Sequence, residues 1–188
     1  HRNGIIEKLD HLTHKITFRT DQLKKRNSGK NENYSLFIDN DDELWISVLL
    51  SGIPGGIYWY KPAQDTLERL SKESGQFRLN TNIVAGVVQD SEVKIWIGTD
   101  HGGINIIDKK NNRIQYLLND AEDHTSISQN TIWSIYRDNN GVIWLGTFKQ
   151  GINYYSNQLA LFDLYKHKTL DAASLPFEDI NKFAEDER

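Results

Sequence analysis

Three Asp residues are each followed six positions later by a Trp, and each Trp is followed by a Gly-Ile pair. Turn residues cut every period into four strand-length runs. Together these observations predict an all-β chain of β-propeller blades, each a four-stranded antiparallel sheet. The Asp–Trp pairs are Asp39–Trp45, Asp90–Trp96 and Asp138–Trp144, and successive Trp residues lie 51 and 48 positions apart. The Gly-Ile pairs begin at Gly56, Gly103 and Gly151, with an earlier copy at Gly4. Asn31, Asn82 and Asn130 each stand eight positions before the Asp.

Taken in order, residues 1–20 are expected to be the closing strands of a preceding blade, and 21–33 a polar connecting loop. Residues 34–80, 81–125 and 126–173 then form three complete blades. In the second, strands are expected at 83–88, 94–98, 104–107 and 113–118, with Asn111-Asn112 as a turn. In the third they are expected at 131–136, 142–146, 152–155 and 159–165. The connection Asp138-Asn139-Asn140-Gly141 has residues that tolerate a tight, positive-φ turn. Residues 174–188 repeat the opening of a blade, as Ser174-Leu175-Pro176 leads through Ile180 and Phe183 to Glu185-Asp186. They are expected to be the first strand of a further blade. Partial blades at both ends, and the absence of any Met, lead us to expect a fragment of a larger propeller. No window shows sustained helical periodicity, and only 177–187 is ambiguous.

Composition narrows the function classes. The 188 residues include 5 Trp, 8 Tyr and 7 Phe, a balance that suits half-buried strands. A net charge of -4 argues against a nucleic-acid partner. The basic run Lys24-Lys25-Arg26 reads as solvated loop. With no Cys there are no disulfides, thiolate metal sites or Cys nucleophile. No apolar run reaches the ~18 residues of a membrane span, and the most apolar stretch, 45–60, is broken by Ser51-Gly52 and Pro54-Gly55-Gly56.

The repeat residues read as structural. Trp45, Trp96 and Trp144 are expected to wedge adjacent blades, each ring removing about 150–250 Å² from water. Asp39, Asp90 and Asp138 are expected to accept backbone N–H groups in the hairpin turn and so fix register, while Gly56, Gly103 and Gly151 open the third strand. The acidic run Asp39-Asn40-Asp41-Asp42-Glu43 lacks the alternation and central Gly of a calcium loop, so neither metal nor cofactor is expected. The six His show no metalloprotease spacing, and there is no nucleophile elbow or phosphate-binding loop. Asp100 and His101 are adjacent, but neighbours in an extended loop usually point apart, so no acid–base dyad is expected. The chain is therefore not expected to be an enzyme.

Residues 126–147, from Ser126-Ile127-Ser128 through Asp138-Asn139-Asn140-Gly141 to Ile143-Trp144-Leu145-Gly146-Thr147, resemble the two-component regulator propeller repeat. Ile95-Trp96-Ile97-Gly98-Thr99 with Gly102-Gly103-Ile104-Asn105 is similar to its second half. The resemblance implies a periplasmic or other extracytoplasmic sensor region of a membrane-anchored histidine kinase, including hybrid two-component systems. It also implies the remaining repeats of the parent chain as partners. The first repeat departs from the pattern: Ser47 replaces a Gly, and the Gly-Ile pair begins eleven residues after Trp45 instead of seven, which places a four-residue insertion within 48–55.

A four-stranded meander puts the loops after its second and fourth strands at one end. The first set is 48–55, 100–102 and 148–150; the second is 21–33, 71–82, 119–130 and 166–177. Length variation and mixed chemistry collect there, which favours that end for ligand binding. The candidates are His101, Phe148, Lys149 and Gln150, with Tyr58 and Trp59 as weaker additions, Trp59 aligning with Ile106 and Tyr154 as strand packing. A carbohydrate or other small ligand suits aromatic faces with polar neighbours. Two other functions remain open: a protein-interaction scaffold, with open strand edges favouring a homodimer, and a glycan-degrading propeller enzyme.

Overall fold

The computed structural model describes residues 1–48, 55–123, 125–156, 162–165, 167, 171–177 and 179–184. The chain opens with a hairpin, β1 (Ile6–Leu9) and β2 (Ile16–Thr20), followed by one helical turn, α1 (Gln22–Arg26). Three four-stranded sheets follow. Blade 1 is β3 (Tyr34–Ile38), β4 (Leu44–Val48), β5 (Ile57–Lys61) and β6 (Thr66–Leu70). Blade 2 is β7 (Val84–Gln89), β8 (Ile95–Thr99), β9 (Ile104–Asp108) and β10 (Arg113–Leu117). Blade 3 is β11 (Ile132–Arg137), β12 (Ile143–Thr147), β13 (Ile152–Tyr155) and β14 (Phe162–Tyr165). In each sheet, neighbours in space are neighbours in sequence and run antiparallel. The all-β blade architecture is thus as the sequence predicts, although the opening residues expected for the last strand, 159–161, lie outside the described residues, as do 49–54 of the insertion. Among the described residues, no helix is long and apolar enough to cross a membrane.

The Asp-to-Trp spacing has a direct physical basis. In each first hairpin, one carboxylate oxygen of the Asp accepts the backbone N–H groups two and four residues on. For Asp39 the donors are Asp41 and Glu43, both at 3.0 Å. For Asp90 they are Glu92 at 2.9 Å and Lys94 at 2.8 Å. For Asp138 they are Asn140 and Val142, both at 2.9 Å. The other oxygen accepts the indole N–H six residues on, at 2.9 Å from Trp45, 2.8 Å from Trp96 and 2.9 Å from Trp144. One carboxylate therefore shapes the turn and orients the wedge. The third turn position after the Asp lies at positive φ in all three blades, in Asp42 (58°), Val93 (66°) and Gly141 (83°).

The blades pack face to face. Between blades 1 and 2, Trp45, Trp59, Phe77, Leu79, Ile95, Ile97 and Ile107 form one buried cluster. Between blades 2 and 3, Trp96, Ile104, Ile106, Ile127, Ile132, Ile143 and Leu145 form another. The close approach at this second joint needs glycine, since a Cβ on Gly98 would come within 2.9 Å of the Ile132 side chain. The opening hairpin and α1 cover the other side of blade 1, where Ile6 and Leu23 bury against Ile46, Tyr60 and Leu67.

Three features differ from the sequence reading. The connection at 21–33 holds α1, too short to show as periodicity, and Leu23 on it is buried to 1% exposure. Trp144 is not a buried wedge like Trp45 and Trp96, which are 1% and 3% exposed; it is only partly buried. Among the described residues no fourth sheet lies against its blade, and the nearest rings are Tyr154 and Tyr165 of its own sheet. No strand forms along 171–177 and 179–184, because no second strand pairs with that segment among the described residues. It nevertheless lies where a first strand would. Ile180, 48 positions after Ile132, sits against Gly146 as Ile132 sits against Gly98. Ser134 Oγ donates to the Ile180 carbonyl at 3.2 Å, and Phe183 stacks on Tyr136.

Candidate ligand face

The loops after second strands and the connections after fourth strands do meet at one end. Gly56 N–H donates to the Asn82 carbonyl and Gly103 N–H to the Asn130 carbonyl, both at 2.8 Å. Asn80 Nδ2 donates to the Gly102 carbonyl at 3.1 Å, and Ser128 Oγ to the Gln150 carbonyl at 3.3 Å. The recurring Asn82 and Asn130 hold the start of each connection, accepting from Lys72 N–H at 2.6 Å and Asn119 N–H at 2.7 Å. Buried Asn105 and Asn153 hold its end, accepting from Asn80 N–H at 2.8 Å and Ser128 N–H at 2.7 Å. The variable side chains therefore stand on a braced backbone.

His101 and Lys149 occupy the same place in blades 2 and 3. The residue before each donates its N–H to the residue just ahead of its blade's first strand, Asp100 to the Ile83 carbonyl and Phe148 to the Thr131 carbonyl. His101 and Lys149 then turn through left-handed backbone, φ 62° and 61°. That conformation corrects the expectation that Asp100 and His101 point apart. It folds the imidazole back, bringing Nδ1 to 2.7 Å from Asp100 Oδ1, while the His101 side chain stays 82% exposed. The contact is a close approach only, since Asp100 Oδ1 has no hydrogen-bond partner among the described residues.

In blade 3 the same loop carries an aromatic pair that the sequence reading missed in part. Phe148 packs on Trp133 with centroids 4.9 Å apart, and the Lys149 ammonium sits 4.7 Å from the Phe148 ring. Trp133 is 41% exposed, a large apolar surface left to water. The β11–β12 register shifts between Ile132 and Ser134, which makes Trp133 the bulged residue; a bulge re-aims its side chain. Ala85 stands at the matching shift in blade 2. The available signal was a bulky aromatic where blade 2 has Ala85. Gln150 is partly buried, its carbonyl engaged by Ser128.

The weaker candidates lie in blade 1. Trp59 is in the joint with blade 2: it is 6% exposed, stacked on Trp45 at 4.9 Å and 12°, and donates its indole N–H to Glu43 at 2.9 Å. A ligand would have to part the blades to reach it. Tyr58 points to the other side of the sheet and is partly buried beside the connection at 26–32.

Three carboxylates, of Asp39, Asp41 and Glu43, gather within 4.8 Å of one another, a set that would attract a cation. The cation among them is a side chain from the neighbouring blade. Lys109 Nζ lies 2.7 Å from Asp39, 2.5 Å from Asp41 and 2.9 Å from Glu43. Burial opposes charge on that ammonium, but the three carboxylates outweigh it and raise its pKa. Burial likewise opposes charge on Asp39, and hydrogen bonds from Lys109, Trp45 and the Glu43 N–H outweigh it, so its pKa is lowered. The chemistry here is a clamp between blades.

Residues 126–149 match the family model described as the two component regulator propeller. No sequence among the curated proteins matches the chain. Among solved structures, the extracellular domain of a one component system from B. thetaiotaomicron is 22% identical, with a TM-score of 0.65 over 99% of this chain and 23% of that chain. The extracellular domain of a hybrid two component system from B. thetaiotaomicron is 23% identical, with a TM-score of 0.58 over 78% of this chain and 19% of that chain. Virginiamycin B lyase from Staphylococcus aureus is 14% identical, with a TM-score of 0.54 over 90% of this chain and 51% of that chain. The chain thus spans about a fifth of the extracellular domains it resembles, and the likeness to all three lies in the fold.

Proposed function

We propose that this chain is a ligand-sensing segment of a propeller in the extracytoplasmic, periplasmic region of a membrane-anchored two-component signalling protein. The histidine kinase and the remaining repeats would lie elsewhere in the parent chain. The observation that carries the reading is the exposed Trp133–Phe148 pair with Lys149 beside it, standing on braced loops at the end where the repeats vary. A tilted aromatic pair with a polar rim suits a sugar ring or another small amphipathic ligand, and the exposed imidazole of His101 on the neighbouring blade stands at the same end. The match of 126–149 to a family of two-component regulators supports the signalling assignment.

Calorimetric titration with a panel of oligosaccharides tests this reading. At least one glycan is expected to bind, and Trp133→Ala with Phe148→Ala is expected to weaken it by about tenfold or more, the worth of one or two ring contacts. Binding unchanged by that pair of substitutions would overturn the assignment of the face. A second reading, a protein-interaction scaffold or homodimer, is favoured by the partly exposed Trp144 on blade 3; concentration-dependent association lost in Trp144→Ser would support it. Turnover of any glycan abolished by His101→Ala would instead point to an enzyme.

A further inference from the structure

The loop end of blade 1 breaks the repeat in a way that blades 2 and 3 make readable. The residue after each Gly-Ile pair is Asn105 in blade 2 and Asn153 in blade 3; both are buried, and each draws the incoming connection onto the sheet by accepting a backbone N–H. Blade 1 has Tyr58 at this place. A phenol cannot reproduce the short amide staple, and the connection takes another route. It winds through α1, and Asn27 joins it to the sheet by donating to the Tyr34 hydroxyl. A cleft of about 260 Å³ is left between connection and sheet, with Arg26, Lys30, Glu32, Tyr34 and Tyr58 in its wall.

Its chemistry is asymmetric. Arg26 and Lys30 bring two positive charges against the one carboxylate of Glu32. Among the described residues neither cation has an ion-pair partner; Arg26 Nη2 donates to the Leu67 carbonyl at 3.3 Å. Arg69, the cross-strand neighbour of Tyr58, holds the Gly55 carbonyl at the rim at 2.7 Å and adds a third cation there. The two tyrosines supply ring faces and hydroxyls. The volume suits one ring, below the range typical of drug-sized ligands.

We propose that this cleft is a binding site for a small anionic ring compound, a six-membered ring carrying one carboxylate or sulfate. Arg26 and Lys30 would take the anionic group while Tyr34 and Tyr58 flank the ring. The inference rests on the sensing reading above but uses none of the residues of the Trp133–Phe148 face. It also gives Arg26, the last residue of the basic run, a role beyond solvated loop.

The test is titration of the chain with galacturonate, with 4-hydroxybenzoate and with neutral galactose, followed by amide chemical shifts at low and at 0.5 M salt. At least one acid is expected to bind about tenfold or more tightly than galactose, the worth of one charge-assisted hydrogen bond. Shifts are expected to centre on Tyr34 and Tyr58, and affinity to fall with salt. Tyr58→Asn, which restores the residue of the other repeats, is expected to abolish binding with the fold intact by melting. Arg26→Gln with Lys30→Gln is expected to reduce it about tenfold or more. Preference for hydroxybenzoate would identify an aromatic acid as the ligand source and preference for galacturonate a sugar acid; either supports the site. Binding of neither acid, equal affinity for galactose, or binding unaffected by Tyr58→Asn in a folded chain would overturn it. Neutral-glycan binding lost only in the Trp133→Ala/Phe148→Ala chain would leave the sensing reading standing while this inference fell.

Discussion

The joint between blades 2 and 3 and the free side of blade 3 present the same kind of surface to different surroundings. On blade 2, Trp96 is tied to Asp90 and covered by Ile127, Ile132, Ile143 and Leu145. On blade 3, Trp144 is tied to Asp138 with the same geometry, but among the described residues only the segment at Ile180 and Phe183 runs along this side of its sheet, and the indole stays partly exposed. The hydrogen bond is set within one blade, whereas burial needs the next. The indole's orientation is thus set by its own blade and its burial by the next, so stability of the array depends on neighbours.

That difference is open to direct measurement. In urea unfolding, Trp96→Ala is expected to cost about 3–5 kcal/mol, because it opens a cavity in a sealed joint. Trp144→Ala is expected to cost about 1–2 kcal/mol, since part of its ring is already in water. Equal losses would break the comparison.

The joint between blades 1 and 2 adds the Lys109 clamp, and removing it sharpens the contrast between joints. Lys109→Met leaves three carboxylates facing one another and is expected to cost about 2–4 kcal/mol at pH 7, a partly buried pair costing somewhat less than a fully buried one. The sign of its pH dependence follows from Asp39, whose folded-state pKa is lowered. A depressed carboxylate contributes stability above its unfolded pKa of about 3.9, and that contribution is lost as pH falls through the folded value. The deficit of Lys109→Met is therefore expected to be full at pH 7 and to shrink as the solution is acidified toward pH 3. A deficit constant between pH 7 and pH 3 would show that the clamp acts by packing alone.

The smallest effect concerns the turns. Val93 holds the positive-φ position that Gly141 fills in blade 3, and a β-branched residue there is strained. Val93→Gly is expected to stabilise by about 1 kcal/mol in the same unfolding assay. Destabilisation would mean that the half-exposed Val93 side chain contributes packing the turn geometry does not reveal.

Much of this architecture was legible because the contacts that build a blade are local in sequence. Asp and Trp six apart across a hairpin announce both the turn and the second strand. The loop end was legible too, since a meander fixes which loops share it. Lys109 was not, because its carboxylates lie some seventy residues earlier and nothing in either segment marks the other. Trp133 was hidden by the bulge, which reverses the inside–outside alternation that an unbroken strand would give. The Asp100–His101 contact depended on a left-handed backbone at a non-glycine residue, which sequence seldom signals.

Because each sheet pairs only consecutive strands, every ladder closes over a short stretch of chain. Low contact order of this kind favours rapid assembly of one unit at a time. Such units can also be duplicated in tandem, or altered on their outer loops, without rewriting the pairing of the others.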